Sequence, residues 1–208
     1  MIEVNWLLFV AASLVLIAIP GQDMILVMSR SIAQGAVAGV ATAAGVCSGL
    51  VVHTVVATLG LGALIQASSF MYFGLQLAGA LYLAHLGLQL LRAPQQQLAM
   101  AGSVAKRPSR MFFDGALSNI CNPKIAVFYL AFLPQFVAPG ATHATLSLFV
   151  LGLAFALLAL LVKGPIGFGA AALSGWLRAH PQSLLWLFRA SGLVLLGLGL
   201  QLALQQPL

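Results

Sequence analysis

Charged residues are scarce in this sequence of 208 residues. It holds 9 Lys and Arg and 3 Asp and Glu, together 6% of the chain, whereas soluble domains carry roughly 25%. Hydrophobic residues make up 62%, and the mean hydropathy is +1.06. Such a chain lacks the polar groups needed to cover a surface in water. The composition argues strongly against a soluble globular protein, and it lacks the high charge typical of a disordered one.

Cysteine and catalytic motifs are also sparse. Cys47 and Cys121 lie in apolar stretches, where free cysteines behave as small hydrophobes, so a disulfide framework is not indicated. Hydrolase, metalloprotease and phosphate-loop motifs are absent. The 3 carboxylates are too few to suggest an acid–base pair or a metal cage. We therefore predict no enzyme, no cofactor and no metal site.

Long apolar runs dominate what is present. Residues 31–91 contain no Asp, Glu, Lys or Arg, and 125–162 form a second uncharged run. These runs are continuous rather than alternating, which favours helices over a membrane β-barrel. The sequence therefore predicts an all-α membrane protein of one domain, 1–208, with six transmembrane helices. The predicted helices are 5–28, 36–64, 69–92, 111–137, 144–172 and 183–204.

The basic residues are read as topology signals and not as a nucleic-acid surface, although the net charge is +6. They lie mostly between apolar runs: after the first predicted helix, around the central linker, and between the fifth and sixth helices. Six spans place these positions on one side, which the positive-inside rule assigns to the cytoplasm. Both termini are then predicted outside. The residues concerned are Arg30, Arg92, Lys106, Arg107, Arg110 and Arg178.

A linker at 93–110 divides the chain into two halves, 1–92 and 111–208. Each half begins with a predicted helix that contains a proline, Pro20 in one and Pro123 in the other. Aligning these prolines also aligns Gly49 with Gly152. Because each half has three helices, the halves must have opposite topology. Paired breaks in inverted repeats point to a transporter binding site.

The broken helices explain what such a site would bind. A proline removes a backbone donor and frees carbonyls of the preceding turn, while the new half-helix N-terminus favours an anion. Together they suit the ammonium and carboxylate of an amino acid. Asp23 is the predicted proton-coupling group because it is the only acid deep in a predicted helix. The predicted substrate-binding residues are Pro20, Gly21, Gln22, Asp23, Asn119, Asn122, Pro123 and Lys124.

Other readings of these polar residues stay open. Asp23 and Lys124 could pair with each other, and Asn119 and Asn122 could cap helices. We expect His53 to make a helix–helix hydrogen bond. For Lys163, snorkelling to the membrane surface is the default, with cavity lining as the alternative.

Several segments resemble the LysE/RhtB amino-acid exporter family. Residues 19–27, Ile-Pro-Gly-Gln-Asp-Met-Ile-Leu-Val, resemble its N-terminal signature, except that Gln22 stands where the family commonly has a second proline. Residues 77–83, 86–87, 113–115, 119–124, 130–136 and 192–200 resemble its later helices. The resemblance implies a bacterial inner-membrane exporter of amino acids and derivatives driven by the proton gradient.

The resulting hypothesis is a secondary active exporter of small neutral amino acids, of the threonine, homoserine or leucine type, by proton antiport with alternating access. Its partners would be the substrate, protons and the lipid bilayer, without nucleic acid. The spacings Gly35/Gly39 and Gly45/Gly49 leave a homodimer open. The alternatives are a membrane thiol-redox carrier using Cys47 and Cys121, or an exporter of another small metabolite or ion.

Overall fold

A computed structural model describes residues 4–19, 21–67, 69–92, 107–137, 141–179 and 181–204. Helices account for nearly all of this part of the chain, which confirms the predicted all-α class. A short 3-10 helix, Leu133–Phe136, follows α6. The α-helices are α1 (Trp6–Ile17), α2 (Gln22–Gln34), α3 (Ala36–Ala67), α4 (Ser69–Leu91), α5 (Pro108–Ile120), α6 (Pro123–Phe132), α7 (Ala144–Ala179) and α8 (Pro181–Leu204).

The number of possible membrane spans depends on how the short helices are counted. Among the residues that the structure describes, four helices, α3, α4, α7 and α8, are each long and apolar enough to cross a bilayer. The pairs α1/α2 and α5/α6 reach the required length only together, and their axes bend by 54° and 61°. Counting each bent pair as one span raises the number from 4 to 6.

The first and fourth predicted helices are therefore not continuous. The prediction 5–28 corresponds to α1 and α2, and 111–137 corresponds to α5, α6 and the 3-10 turn. Pro123 starts α6, because proline is accepted at the first helical position but breaks a helix interior. Pro20 lies outside the described residues.

Three predicted loop boundaries are wrong. The turn expected at 29–35 is confined to Gly35, whose φ of 89° suits glycine, because nothing from 29 to 34 interrupts a helix. Arg178 was expected between two helices but belongs to α7. Pro108 opens α5, so the predicted linker 93–110 ends early. Its residues 93–106 lie outside the described part of the chain.

Glycines bring the long helices together in antiparallel pairs. A Cβ on Gly39 of α3 would lie against the Gly167 backbone of α7, and one on Gly152 of α7 would lie against Thr54 of α3. Likewise, a Cβ on Gly87 of α4 would lie 2.8 Å from the carbonyl oxygen of Gly192 in α8. A Cβ on Gly192 would lie 2.8 Å from the carbonyl oxygen of Gly87. Such close approach is typical of small residues at membrane helix interfaces.

The two bent pairs also run antiparallel. Val4, before α1, forms an isolated antiparallel bridge with Val137, after the 3-10 turn. At the other ends, Arg30 of α2 lies 3.5 Å from Asp114 of α5. The beginning of each bent pair therefore lies near the end of the other.

Aromatic packing holds α6 against its neighbours. The Phe128 and Phe132 rings stack with centroids 4.7 Å apart, and Phe132 and Phe155 of α7 are 5.7 Å apart. Phe9 of α1 meets Phe136 edge-on at 5.2 Å. These contacts position the second helix break beside the first.

Candidate functional site

A cavity of about 310 Å³ lies between the two helix breaks. Ligand pockets of roughly 300–1,000 Å³ commonly hold small molecules. Its polar lining comprises Gln22, Asp23, Gln89, Asn122, Lys124 and Lys163, besides the backbone at Gly21. Its apolar lining comprises Leu16, Ile17, Ile19, Met24, Leu50, Leu86, Leu90, Ile125, Phe128, Phe155 and Leu195. The cavity therefore combines charged groups with apolar walls.

Asp23 lies in the first turn of α2 and is 7% exposed. Gly21 caps this helix without a side-chain hydrogen bond, and the helix N-terminus favours a negative charge here. The Asp23 oxygen Oδ2 accepts from Asn119 Nδ2 at 2.8 Å. The other oxygen, Oδ1, is buried without a hydrogen-bond partner among the described residues, so its hydrogen-bonding capacity is unused there.

Lys163 of α7 faces Asp23. Its Nζ lies 3.5 Å from Asp23 Oδ2, and the two side chains are 9% and 8% exposed. The default expectation of snorkelling is therefore wrong, and the alternative of cavity lining is confirmed. The physical reason is the neighbouring carboxylate, which compensates the ammonium charge inside the protein.

At the second break, Asn122 acts as a helix cap. Its Oδ1 accepts from the backbone N–H of Lys124 at 3.0 Å, one of the donors that a helix start leaves unpaired. The Lys124 side chain is exposed yet lines the cavity. Within the described chain it makes no ion pair with Asp23, so the predicted alternative of an Asp23–Lys124 pair is wrong.

His53 repairs the backbone at this break. Because Pro123 has no N–H, the carbonyl of Asn119 loses its regular helical donor. His53 Nε2 on α3 donates to this carbonyl oxygen at 2.9 Å, and the N–H of Asn122 donates to it at 3.0 Å. The expected helix–helix hydrogen bond of His53 is confirmed.

The structure brings most of the predicted site residues together. Five of them line the cavity with side chains or backbone, and one of these, Asn122, also caps α6. Asn119 does not line the cavity but donates a hydrogen bond to Asp23, which does. Pro123 starts α6. Pro20 belongs to the part of the chain that the structure does not describe. The cavity-lining members are Gly21, Gln22, Asp23, Asn122 and Lys124.

The prediction missed Lys163 as a site residue, together with Gln89 of α4 and the walls formed by Phe128 and Phe155. A lysine inside an apolar run is a usable signal, because charges within membrane helices are functional by default. Apolar wall residues carry no such signal.

The described residues give little geometric support to a metal-ion site or to a thiol-redox pair of Cys47 and Cys121. Among the described residues, no three His, Cys, Asp or Glu side chains could hold one metal ion. Cys47 is buried in α3, whereas Cys121 is exposed at the second break.

Comparison with known proteins gives consistent matches. Residues 14–206 match the model of the family described as LysE type translocator. A homoserine/homoserine lactone efflux protein of Salmonella typhimurium is 30% identical, covering 95% of both chains. An uncharacterized membrane protein of Pseudomonas aeruginosa is 28% identical, covering 94% of this chain and 93% of the relative. A leucine efflux protein of Salmonella choleraesuis is 28% identical, covering 71% and 70%. No solved structure matches significantly.

Proposed function

Because the chain belongs to the LysE type translocator family, we propose that it exports small neutral amino acids or their derivatives by secondary active transport. Members of this family are translocators, so the chain is a transporter and not an enzyme. The observation that carries the proposal is the buried Asp23 carboxylate, which lines the cavity between two broken helices and has one oxygen without a partner among the described residues.

The proposed substrate class follows from the cavity and the relatives. Two relatives are named for homoserine and leucine, amino acids whose side chains are uncharged. The apolar walls of the cavity suit such side chains, and its volume of about 310 Å³ is enough for one small amino acid. We place the substrate against the residues predicted from the sequence: Pro20, Gly21, Gln22, Asp23, Asn119, Asn122, Pro123 and Lys124.

Proton antiport would depend on Asp23 having two alternative ligands. Its oxygen Oδ1, which has no partner in the described chain, can take either a proton or the substrate ammonium, but not both. On the outside, protonation of Asp23 would expel the ammonium. On the inside, loss of the proton would prepare the site for the next substrate. Competition for one carboxylate thereby couples proton entry to substrate exit.

Alternating access is proposed to use the two inverted halves. Each helix of the first half lies antiparallel to its counterpart in the second half, as at Gly87 and Gly192 and at Val4 and Val137. This arrangement supports a repeat axis in the membrane plane, around which the halves rock about the central site. The proposed location is the bacterial inner membrane, with both termini outside.

The test is uptake of labelled homoserine or leucine into inside-out membrane vesicles with an acidified lumen. We expect uptake that depends on the protein, is accelerated by the pH gradient and is abolished by a protonophore. Asp23→Asn is expected to lose this acceleration, because the amide cannot take up a proton.

Asp114→Asn serves as the matched control, since Asp114 pairs with Arg30 at the helix ends and is expected to keep the response to pH. Full acceleration in Asp23→Asn would reject Asp23 as the coupling group. If neither amino acid is taken up by the wild type, the proposed function itself is rejected.

A further inference from the structure

The contact between Asp23 and Lys163 is a poor ion pair for two buried charges. Their closest atoms are 3.5 Å apart, and the side chains are only 8% and 9% exposed. Charge-assisted hydrogen bonds are normally about 2.7–2.9 Å long. A buried pair repays its desolvation only with good geometry and further hydrogen bonds, yet Asp23 Oδ1 has no partner in the described chain. Both groups therefore have bonding capacity to offer a ligand.

We propose that Lys163 binds the carboxylate of the substrate and determines specificity. On binding, an α-amino acid would place its ammonium at Asp23 Oδ1 and its carboxylate at the Lys163 ammonium, so that four charges of alternating sign adjoin one another. This inference rests on the proposed function and assigns the recognition of the carboxylate within it.

Distance favours Lys163 over Lys124 in this role. Both charged groups of an α-amino acid are attached to one carbon atom, so the groups that bind them must be close neighbours. Lys163 Nζ lies 3.5 Å from the Asp23 carboxylate and is buried beside it. Lys124 is exposed and forms no ion pair with Asp23 among the described residues. A buried ammonium also interacts more strongly with a carboxylate than an exposed one does.

The helix that carries Lys163 departs from regular geometry just after it. Gly164 and Pro165 follow it directly, and Pro165 leaves a carbonyl in the preceding turn without its regular donor. Farther along α7, Gly169 departs from helical geometry with φ −101° and ψ 18°. The flexible four-carbon stem of Lys163 can turn its ammonium from Asp23 towards an incoming carboxylate.

The charges of the cavity define the substrates that fit. Its described lining includes one acid, Asp23, and two bases, Lys124 and Lys163. A neutral amino acid satisfies Asp23 and Lys163 together. A basic side chain would find no second acid, and an ester, lactone or amide would leave Lys163 without a carboxylate. The site therefore selects neutral amino acids that have a free carboxylate.

The experiment measures binding to the purified protein in detergent, from the shift of its thermal unfolding temperature on titration. The probes are leucine with leucinamide and homoserine with homoserine lactone, each pair differing in the carboxylate. We expect the wild type to prefer the carboxylate form by about tenfold or more, and Lys163→Met to lose most of this preference. Lys163→Arg is expected to keep it, and Lys163→Gln is a second neutral variant should the methionine variant not fold.

The outcomes separate the inference from the proposed function. If neither leucine nor homoserine binds the wild type, both are overturned. If they bind without preference over their carboxylate-free analogues, or if Lys163→Met and Lys163→Gln keep the preference, only the inference is overturned. Loss of the preference in Lys124→Met but not in Lys163→Met would transfer the role to Lys124. A merely structural Lys163 would weaken binding of both members of a pair equally.

Discussion

At the scale of single residues, Gly49 and Asn119 determine the orientation of the Asp23 carboxylate. A Cβ on Gly49 would lie 2.6 Å from Asn119 Oδ1 and 2.8 Å from Asn119 Cβ, and Asn119 in turn donates to Asp23. Gly49 therefore leaves room for the amide that orients the carboxylate. Neither the glycine nor the asparagine is an obvious partner of the other in the sequence, since they belong to different halves.

We predict that Gly49→Ala lowers the initial rate of amino-acid transport into inside-out vesicles by about tenfold to a hundredfold, because a misplaced site residue is costly. Gly60→Ala is the matched control on the same helix, since a Cβ there meets no atom of the described residues within 4 Å. Its transport is expected to equal that of the wild type. Equal rates in both variants would show that the position of Asn119 does not matter.

At the scale of helices, breaks and crossings follow different rules. The breaks could be anticipated, because Pro123 and the capping residue Asn122 are local signals that act on the backbone beside them. The extent of α2 up to Gln34 could not be anticipated from the sequence, since residues 29–34 are compatible with either a helix or a loop. The helix crossings could not be anticipated either, because any of the many glycines could have formed one.

Gly87 and Gly192 form the crossing of α4 and α8, so we expect Gly87→Ala to destabilise the protein. The added Cβ would lie 2.8 Å from the Gly192 carbonyl oxygen, and overpacking costs about 1–3 kcal/mol. The unfolding temperature in detergent should fall by roughly 5 °C. Gly74→Ala on the same helix, where a Cβ meets no atom of the described part of the chain within 4 Å, should leave the unfolding temperature unchanged. A comparable fall in both variants would argue against a specific crossing.

At the scale of the whole molecule, the ends of the bent pairs bear on membrane topology. Val4 adjoins Val137, while Arg30 adjoins Asp114 at the opposite ends. If each bent pair is one span, the chain crosses six times, and the clustered basic residues mark the cytoplasmic side. We then expect both termini outside.

This topology can be measured with fusions to the C-terminus. Alkaline phosphatase is active only outside the cytoplasm, so we expect a C-terminal phosphatase fusion to be active. Green fluorescent protein fluoresces in the cytoplasm and not after export, so we expect a C-terminal fusion of this protein to be dark. As a control, the same reporters inserted in the linker 93–106 should give the opposite pattern. A fluorescent C-terminal fusion with inactive phosphatase would mean an odd number of spans or an inverted orientation.

The sequence by itself determined the class of the protein and pointed to five of the residues that line the cavity, Gly21, Gln22, Asp23, Asn122 and Lys124. Hydropathy acts on each segment independently, and proline acts on its own turn, so the apolar helices and the break at Pro123 were predictable. Only the tertiary structure decided the partner of Asp23. An ion pair depends on which side chains meet in space, and Lys163 lies in the opposite half of the chain, where local signals allowed both the membrane surface and the cavity. Folding of α7 against α3 brings it to Asp23 and makes it part of the site.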